Sequence, residues 1–228
     1  MANRQTAGAV IVAAGSSRRM EGVDKVFALL GEKTVLARVI DAFQDCDSID
    51  RIVIVLSEEN LKRGEQLAAG QGWSKVTDIC PGGERRQDSV VAGLSRLSDC
   101  DWAVIHDGAR PFVSGELIEQ GLETARETGA AIAAVPVTDT IKLAGDDQIV
   151  RETLARQSLW SVQTPQVFRF DIITEAYRQL KYEVTDDARA VEQLGYRVKL
   201  YLGSYDNIKI TNPDDLELAG VLWKNHGR

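Results

Sequence analysis

The chain has 228 residues, 44% of them apolar and 27% charged, with a net charge of −7 at neutral pH. A chain of this size and mixture buries roughly 70% of its unfolded surface without covalent staples, and its negative balance argues against a nucleic-acid backbone as main partner. Three scattered cysteines (Cys46, Cys80, Cys100) without a C-x-x-C pair argue against a disulfide or zinc framework, and with no membrane-length run or signal-like start the expectation is a cytoplasmic protein.

Ala7–Ala14 (AGAVIVAA) is short and continuously apolar, as a strand covered on both faces should be. Thr34–Gln44 follows as an amphipathic helix, with Val35, Leu36, Val39, Ile40 and Phe43 on one face and Thr34 as N-cap. Arg51–Leu56 and Val76–Cys80 read as further strands. Arg86–Leu97 reads as a helix whose inner face carries Val90, Val91, Leu94 and Leu97. Trp102–His106 is the next strand and Ser114–Thr128 the next helix, packed through Leu117, Ile118, Leu122 and Ala125. Ala130–Val135 is another strand. This alternation implies an α/β fold, a doubly wound and mainly parallel sheet with right-handed crossovers.

The rhythm breaks after Pro136. Thr138–Leu143, a Gly145-Asp146-Asp147 turn and Ile149–Leu154 read as a polar two-stranded arm over roughly residues 137–156. A lone hairpin is barely stable in water, so this one should dock, most simply on a second copy of the chain. Two helices, a strand at Tyr196–Leu202 and a last helix opened by Asn212-Pro213 complete one domain spanning 1–228, with no linker to divide it. Trp160 and Phe168, flanking Thr164-Pro165, read as core aromatics.

In an open α/β sheet, ligands bind beyond the carboxyl ends of the strands, where strand order reverses. The turns at that edge are Ala13-Ala14-Gly15-Ser16-Ser17-Arg18-Arg19-Met20 with Lys25, Pro81 to Ser89, Asp107-Gly108-Ala109-Arg110-Pro111, and Asp206 to Thr211. An acidic chain thus gathers Arg18, Arg19, Lys25, Arg85, Arg86, Arg110 and Lys209 at one edge, among small residues that admit close amide contact. Phosphate groups need that combination, so the substrate should be a small polyanion. Neither the G-x-G-x-x-G dinucleotide turn nor a G-x-x-x-x-G-K-[ST] phosphate loop is present.

AAGSSRRM with Lys25, GGERRQDSV, HDGARPF, WSVQTPQVF, TDDA and DNIKIT occur in an order that resembles the 2-C-methyl-D-erythritol 4-phosphate cytidylyltransferases, from about Ala7 to Gly220. The resemblance implies a Rossmann-like twisted sheet whose arm interlocks a homodimer, and a magnesium-dependent reaction of CTP with the polyol phosphate. It assigns Arg19 and Lys25 to the transition state and leaving charge, and the backbone of Ala13, Ala14 and Gly15 to ribose and triphosphate. Gly83, Glu84 and Ser89 would read cytosine. Asp107 and Gly108 would meet the ribose and reacting phosphates, with Asp107 also near the metal. Arg110, Arg156, Thr164, Thr185 and Lys209 would hold the sugar phosphate, Arg156 and Thr185 across the dimer; Arg156 and Lys209 also count as catalytic.

Three departures from the family pattern stand out. Ser17 replaces a common glycine, at a cost of about 1 kcal/mol if left-handed backbone is required there. Asp24 sets a carboxylate before Lys25, and Gly108 replaces a frequent alanine, a change expected to be harmless. Bland readings stand beside the functional ones: Arg19 and Lys25 as solvated loop charges, Thr185 as an N-cap followed by Asp186 and Asp187, and His106 as a packed side chain. The alternatives in function are a cytidylyltransferase for another polyol phosphate such as ribitol 5-phosphate, or a non-catalytic nucleotide-binding regulatory module.

Overall fold

The computed structural model describes residues 4–15 and 24–225. In chain order come β1 (Ala7–Ala13), the two-residue β2 (Leu29–Leu30) and β3 (Lys33–Thr34), α1 (Val35–Gln44), β4 (Arg51–Leu56), α2 (Leu61–Gln71), β5 (Val76–Pro81) and α3 (Arg86–Leu94). They continue with β6 (Trp102–Asp107), α4 (Gly115–Thr128), β7 (Ala130–Pro136), β8 (Lys142–Ala144), β9 (Val150–Thr153) and β10 (Trp160–Arg169). Then follow α5 (Phe170–Gln179), α6 (Asp187–Gln193), β11 (Lys199–Leu202) and α7 (Pro213–Asn225).

Seven strands form one sheet in the order β11-β7-β10-β6-β1-β4-β5. The chain runs from β1 outward through β4 to β5, then returns to place β6 on the other flank of β1. That reversal opens a crevice at the carboxyl ends of β1 and β6, where Val12 lies beside Asp107 in the parallel register. All pairs are parallel except those of β10, which runs antiparallel between β6 and β7. A register shift between Val162 and Gln166 breaks the β10–β7 ladder and presents Gln163 and Thr164 toward the same crevice.

The central parallel strands β1, β4, β6 and β7 are almost wholly apolar because helices cover both faces. Ile11, Ile54, Leu36, Ile40, Phe43 and Ile118 pack on one side, and Val10, Val53, Val55, Leu94, Ile105 and Phe168 on the other. Each such side chain contributes about 1.5–3 kcal/mol of burial free energy. A smaller cluster of Leu30, Val35, Phe112, Ile210 and Ala219 seats α7 and the segment carrying Lys209 against the domain.

Local signals place the elements well. Thr34 caps α1 by accepting from the Ala37 N–H at 3.2 Å, and Ser114 caps α4 by accepting from Leu117 at 3.3 Å. Four expectations are corrected. α3 ends at Leu94, and Val91 faces solvent because it lies about 100° round the helix from buried Val90; Leu97 reaches the core from the following turn. Asp186, not Thr185, caps α6, accepting from the Arg189 N–H at 3.1 Å. Trp160 is 39% exposed, whereas Phe168 is fully buried. The arm pairs only over β8 and β9, and it exposes Ile141, Leu143, Ile149 and Val150 rather than a mainly polar surface.

The three cysteines are free and buried, and burial pushes each thiol up and away from reactivity. Among the described residues, no helix is long and apolar enough to cross a membrane.

Candidate active site

Asp107, the last residue of β6, organises the crevice. Its carboxylate receives Lys209 Nζ at 2.9 Å, Arg86 Nε at 3.2 Å and Arg110 Nε at 3.4 Å. Burial opposes its charge, but Arg86, Lys209 and Arg110 outweigh that and hold the carboxyl well below the usual carboxylate range. Asp107 is therefore an anion at any physiological pH, clamped among three cations supplied by α3, the β6–α4 turn and the segment before α7.

The partners are held in turn. Arg86 donates to both oxygens of fully buried Asp187, at 3.0 and 2.8 Å, and the Tyr177 hydroxyl donates to that same carboxylate. Burial lowers the Arg86 basicity, yet Asp187 and Asp107 more than reverse this, so it stays protonated. Arg110 also donates to the Asn207 carbonyl at 2.7 Å. The Asp107 N–H donates to Thr164 Oγ1 at 3.0 Å, which lies 3.0 Å from His106 Nδ1, while His106 Nε2 lies 3.2 Å from the Arg110 carbonyl. Burial pushes the His106 ring down to about 3, leaving it uncharged near neutral pH.

Two clefts meet at this cluster. The larger, about 720 Å³, is walled by Ala13, Ala14, Gly15, Lys25, Gly83, Glu84, Arg85 and Ser89. The smaller, about 440 Å³, is walled by Arg110, Gln163, Thr164, Gln166, Thr185 and Arg189. Arg86, Asp107 and Lys209 belong to both.

The sequence-predicted residues fall accordingly. Ala13, Ala14, Gly15, Lys25, Gly83, Glu84, Ser89, Asp107 and Lys209 converge on the larger cleft, and Arg110, Thr164 and Thr185 with Asp107 and Lys209 on the smaller. Ser89 is buried, and its hydroxyl accepts from the Gly83 N–H at 3.2 Å, which shapes the turn from within. Thr185 reaches the cleft of its own chain, where the resemblance sets it across a dimer. Arg156 lies outside both clefts; it is exposed and donates to the Thr138 carbonyl at 2.6 Å, at the root of the arm. Arg18, Arg19 and Ser17 fall outside the described residues.

Gly108 lines neither cleft; it sits between Asp107 and Ala109, its N–H donating to the Val12 carbonyl at 2.8 Å. A Cβ there would sit 2.8 Å from the Ala13 Cβ and 3.3 Å from the Val12 oxygen. In this chain the two strand ends approach too closely to take an alanine there without a shift. Asp24, the other departure, accepts from Asn60 Nδ2 at 2.5 Å and from the Val26 N–H at 3.2 Å, tying the Lys25 turn to the start of α2.

Arg86 and Asp187 are the members that sequence reading left out of the site. Arg86 sits in the first turn of α3 behind a glycine-rich turn, which was a usable signal. Asp187 lies 101 residues further on, and nothing local to either residue announces the pair.

Among the described residues, no three His, Cys, Asp or Glu side chains cluster to hold a metal ion. The carboxylates lining the crevice are Asp107, Glu84 in the larger cleft, and Asp186 and Glu192 in the smaller. This set suits a hard divalent ion carried chiefly by ligand phosphates, not one caged by protein.

The chain matches the family model for 2-C-methyl-D-erythritol 4-phosphate cytidylyltransferase over residues 7–225. It is 54% identical to the enzyme of that name from Dehalococcoides mccartyi (strain ATCC BAA-2266 / KCTC 15142 / 195), across 95% of this chain and 96% of that one. It is 42% identical to the one from Clostridium novyi (strain NT), with the same coverage. Among solved structures, 4-diphosphocytidyl-2C-methyl-D-erythritol synthase from Anaerococcus prevotii superposes with a TM-score of 0.87 at 28% identity, covering 96% of both chains. The cytidylyltransferase from Thermus thermophilus superposes at 0.75 with 32% identity, covering 94% of this chain and 98% of that one.

Proposed function

The chain belongs to the 2-C-methyl-D-erythritol 4-phosphate cytidylyltransferase family, and on that premise we propose that its two clefts divide the two substrates between them. The reaction moves the cytidylyl group of CTP onto 2-C-methyl-D-erythritol 4-phosphate, giving the CDP-alcohol of isoprenoid synthesis and pyrophosphate. CTP occupies the larger cleft, with cytosine against Gly83, Glu84 and Ser89 and the triphosphate near Ala13, Ala14, Gly15, Gly108 and Lys25. The sugar phosphate occupies the smaller one, against Arg110, Thr164, Thr185 and Lys209. The observation that carries this reading is the shared wall: Asp107, Lys209 and Arg86 line both clefts.

The chemistry needs cations more than a base. A phosphomonoester has a second pKa of about 6, so the attacking oxygen is already deprotonated near neutral pH. His106, buried and uncharged, faces Thr164 and Arg110 rather than either cleft. What opposes reaction is the repulsion between a dianion and a triphosphate, which fixed cations offset most effectively in a water-poor site. Lys209 and Arg110 neutralise the incoming phosphate, while Lys25 and Arg19 act on the α-phosphate and departing pyrophosphate. Asp107 keeps the cations in place before substrate arrives. With CTP bound, Asp107 would also hold magnesium together with triphosphate oxygens, and the ion would supply further charge neutralisation.

A homodimer fits the exposed apolar side chains of the arm, with Arg156 at its root reaching the neighbouring site; the cytoplasm fits the free, buried cysteines. Ribitol 5-phosphate and a non-catalytic module are the less favoured readings. Steady-state turnover with CTP and each polyol phosphate separates them. The expected preference is for methylerythritol phosphate by at least ~100-fold in kcat/KM. A preference for ribitol 5-phosphate, or no pyrophosphate release with either, contradicts the reading.

A further inference from the structure

His106 is completely buried between the two groups that frame the smaller cleft, and for an uncharged ring its hydrogen bonds fit one tautomer. The Arg110 carbonyl can only accept, so the His106 Nε2 at 3.2 Å must carry hydrogen. Thr164 Oγ1 already accepts from the Asp107 N–H at 3.0 Å, which leaves its own hydrogen free to point at His106 Nδ1, 3.0 Å away. Nδ1 is then bare and accepting. Phe43 packs on the imidazole with ring centroids 5.2 Å apart, tilted by 50°, which fixes its plane from the α1 side.

We infer that His106, fixed as its Nε2–H tautomer, is a positioning residue that sets Arg110 relative to Thr164 on the sugar-phosphate side of the site. A single directional chain runs from the Asp107 amide through the Thr164 hydroxyl and the imidazole to the Arg110 carbonyl. It links β10, the end of β6 and the β6–α4 turn. Its consequence is geometric: the Arg110 guanidinium, which reaches Asp107 at 3.4 Å and the Asn207 carbonyl at 2.7 Å, is carried on backbone that the imidazole pins. His106 touches neither substrate. This inference rests on the assignment of the smaller cleft to the sugar phosphate.

The tautomer is read directly from the wild-type protein labelled with 15N-histidine at pH 7.5. The chain has two histidines, so comparison with His106→Phe assigns the signal. The expected pattern is a pyrrole-like Nε2 and a pyridine-like Nδ1; a protonated Nδ1 overturns the inference without touching the functional reading. Kinetics supply the second test. His106→Phe and Thr164→Val should each raise the sugar-phosphate KM about 10-fold or more while the CTP KM stays within about 2-fold, and the double variant should be little worse than either. Thr164→Ser, which keeps the hydroxyl, should stay near wild type. Equal rises in both KM values, no rise at all, or additive losses overturn the positioning role. A rise confined to the CTP KM contradicts the division of substrates while leaving the tautomer result standing. If His106→Phe does not fold, the histidine signal is assigned by His226→Gln instead, and a protonated Nδ1 still overturns the inference.

Discussion

The larger cleft sets small residues that admit backbone contact beside Lys25, Glu84 and Arg85, whereas the smaller one is walled mainly by long polar side chains held from several directions. Ala13, Ala14, Gly15 and Gly83 bring backbone close to a ligand, and a Cβ at Gly83 would run into the Asp88 Cβ. Opposite them, Arg110, Gln163, Gln166 and Arg189 present ends whose positions depend on β10, α6 and the segment before α7. A base and a ribose are neutral and shape-defined, so turns that expose amides suffice for them. A phosphate dianion must be met by charge, and charge in an acidic chain has to be assembled and restrained.

If that contrast is right, the two clefts should fail differently. The largest effect is expected from Lys25→Ala, which should lower kcat by at least ~100-fold while changing the CTP KM far less, because its charge matters most as pyrophosphate leaves. Near-normal turnover would remove Lys25 from the chemistry. Next comes Arg156, whose place at the root of the arm gives it no role in its own cleft. Dimers mixed from Lys25→Ala and Arg156→Ala chains should recover activity well above either parent, up to about a quarter of wild type when chains assort randomly and one site is rebuilt in each mixed dimer. No recovery would contradict the placement of Arg156 in the neighbouring subunit's site.

Smaller effects should mark the glycines of the larger cleft. Gly83→Ala should raise the CTP KM about 10-fold, and Gly108→Ala a few-fold, with the sugar-phosphate KM little changed in both. Titrations at fixed concentration of the second substrate check this, and a rise on the sugar-phosphate side would blur the two clefts into one.

The smallest effect is on stability. Burial puts His106 at about 3 in the folded chain against an ordinary 6.5, so the unfolded chain takes up its proton first as pH falls. The stabilising contribution is therefore full above pH 6.5 and is lost between 6.5 and about 3. Asp107, depressed by its cations, stays charged in folded and unfolded chains alike down to pH 5 and adds no slope there. Urea unfolding of metal-free protein should thus show wild type losing about 2 kcal/mol more than His106→Phe between pH 7 and 5. Parallel losses would mean that His106 takes up no extra proton on unfolding.

The contrast also explains how far the sequence could be read. The larger cleft is built from contiguous turns at strand ends, so glycines and cations near one another in the chain announce it. Buried strands and the caps at Thr34 and Ser114 are equally local signals. The smaller cleft is not local. Its antiparallel β10 interrupts a parallel pattern, and its Arg86–Asp187 pair is made only when the first turns of α3 and α6 meet. Thr185 and Asp186 are both good caps, and the choice between them depends on Gln166, which donates to the Asp186 carboxylate at 3.1 Å. The arm was legible as an interruption, but its paired length depends on a register shift that composition does not record.

The most direct test is a crystal structure of the Lys25→Ala enzyme, slow enough to trap both substrates, with CTP and methylerythritol phosphate. The expected result has cytosine at Gly83–Ser89 and the 4-phosphate on Arg110 and Lys209 beside Thr164, so that its oxygen faces the α-phosphorus next to Asp107. A sugar phosphate bound anywhere else, or a nucleotide whose base lies in the smaller cleft, would contradict it.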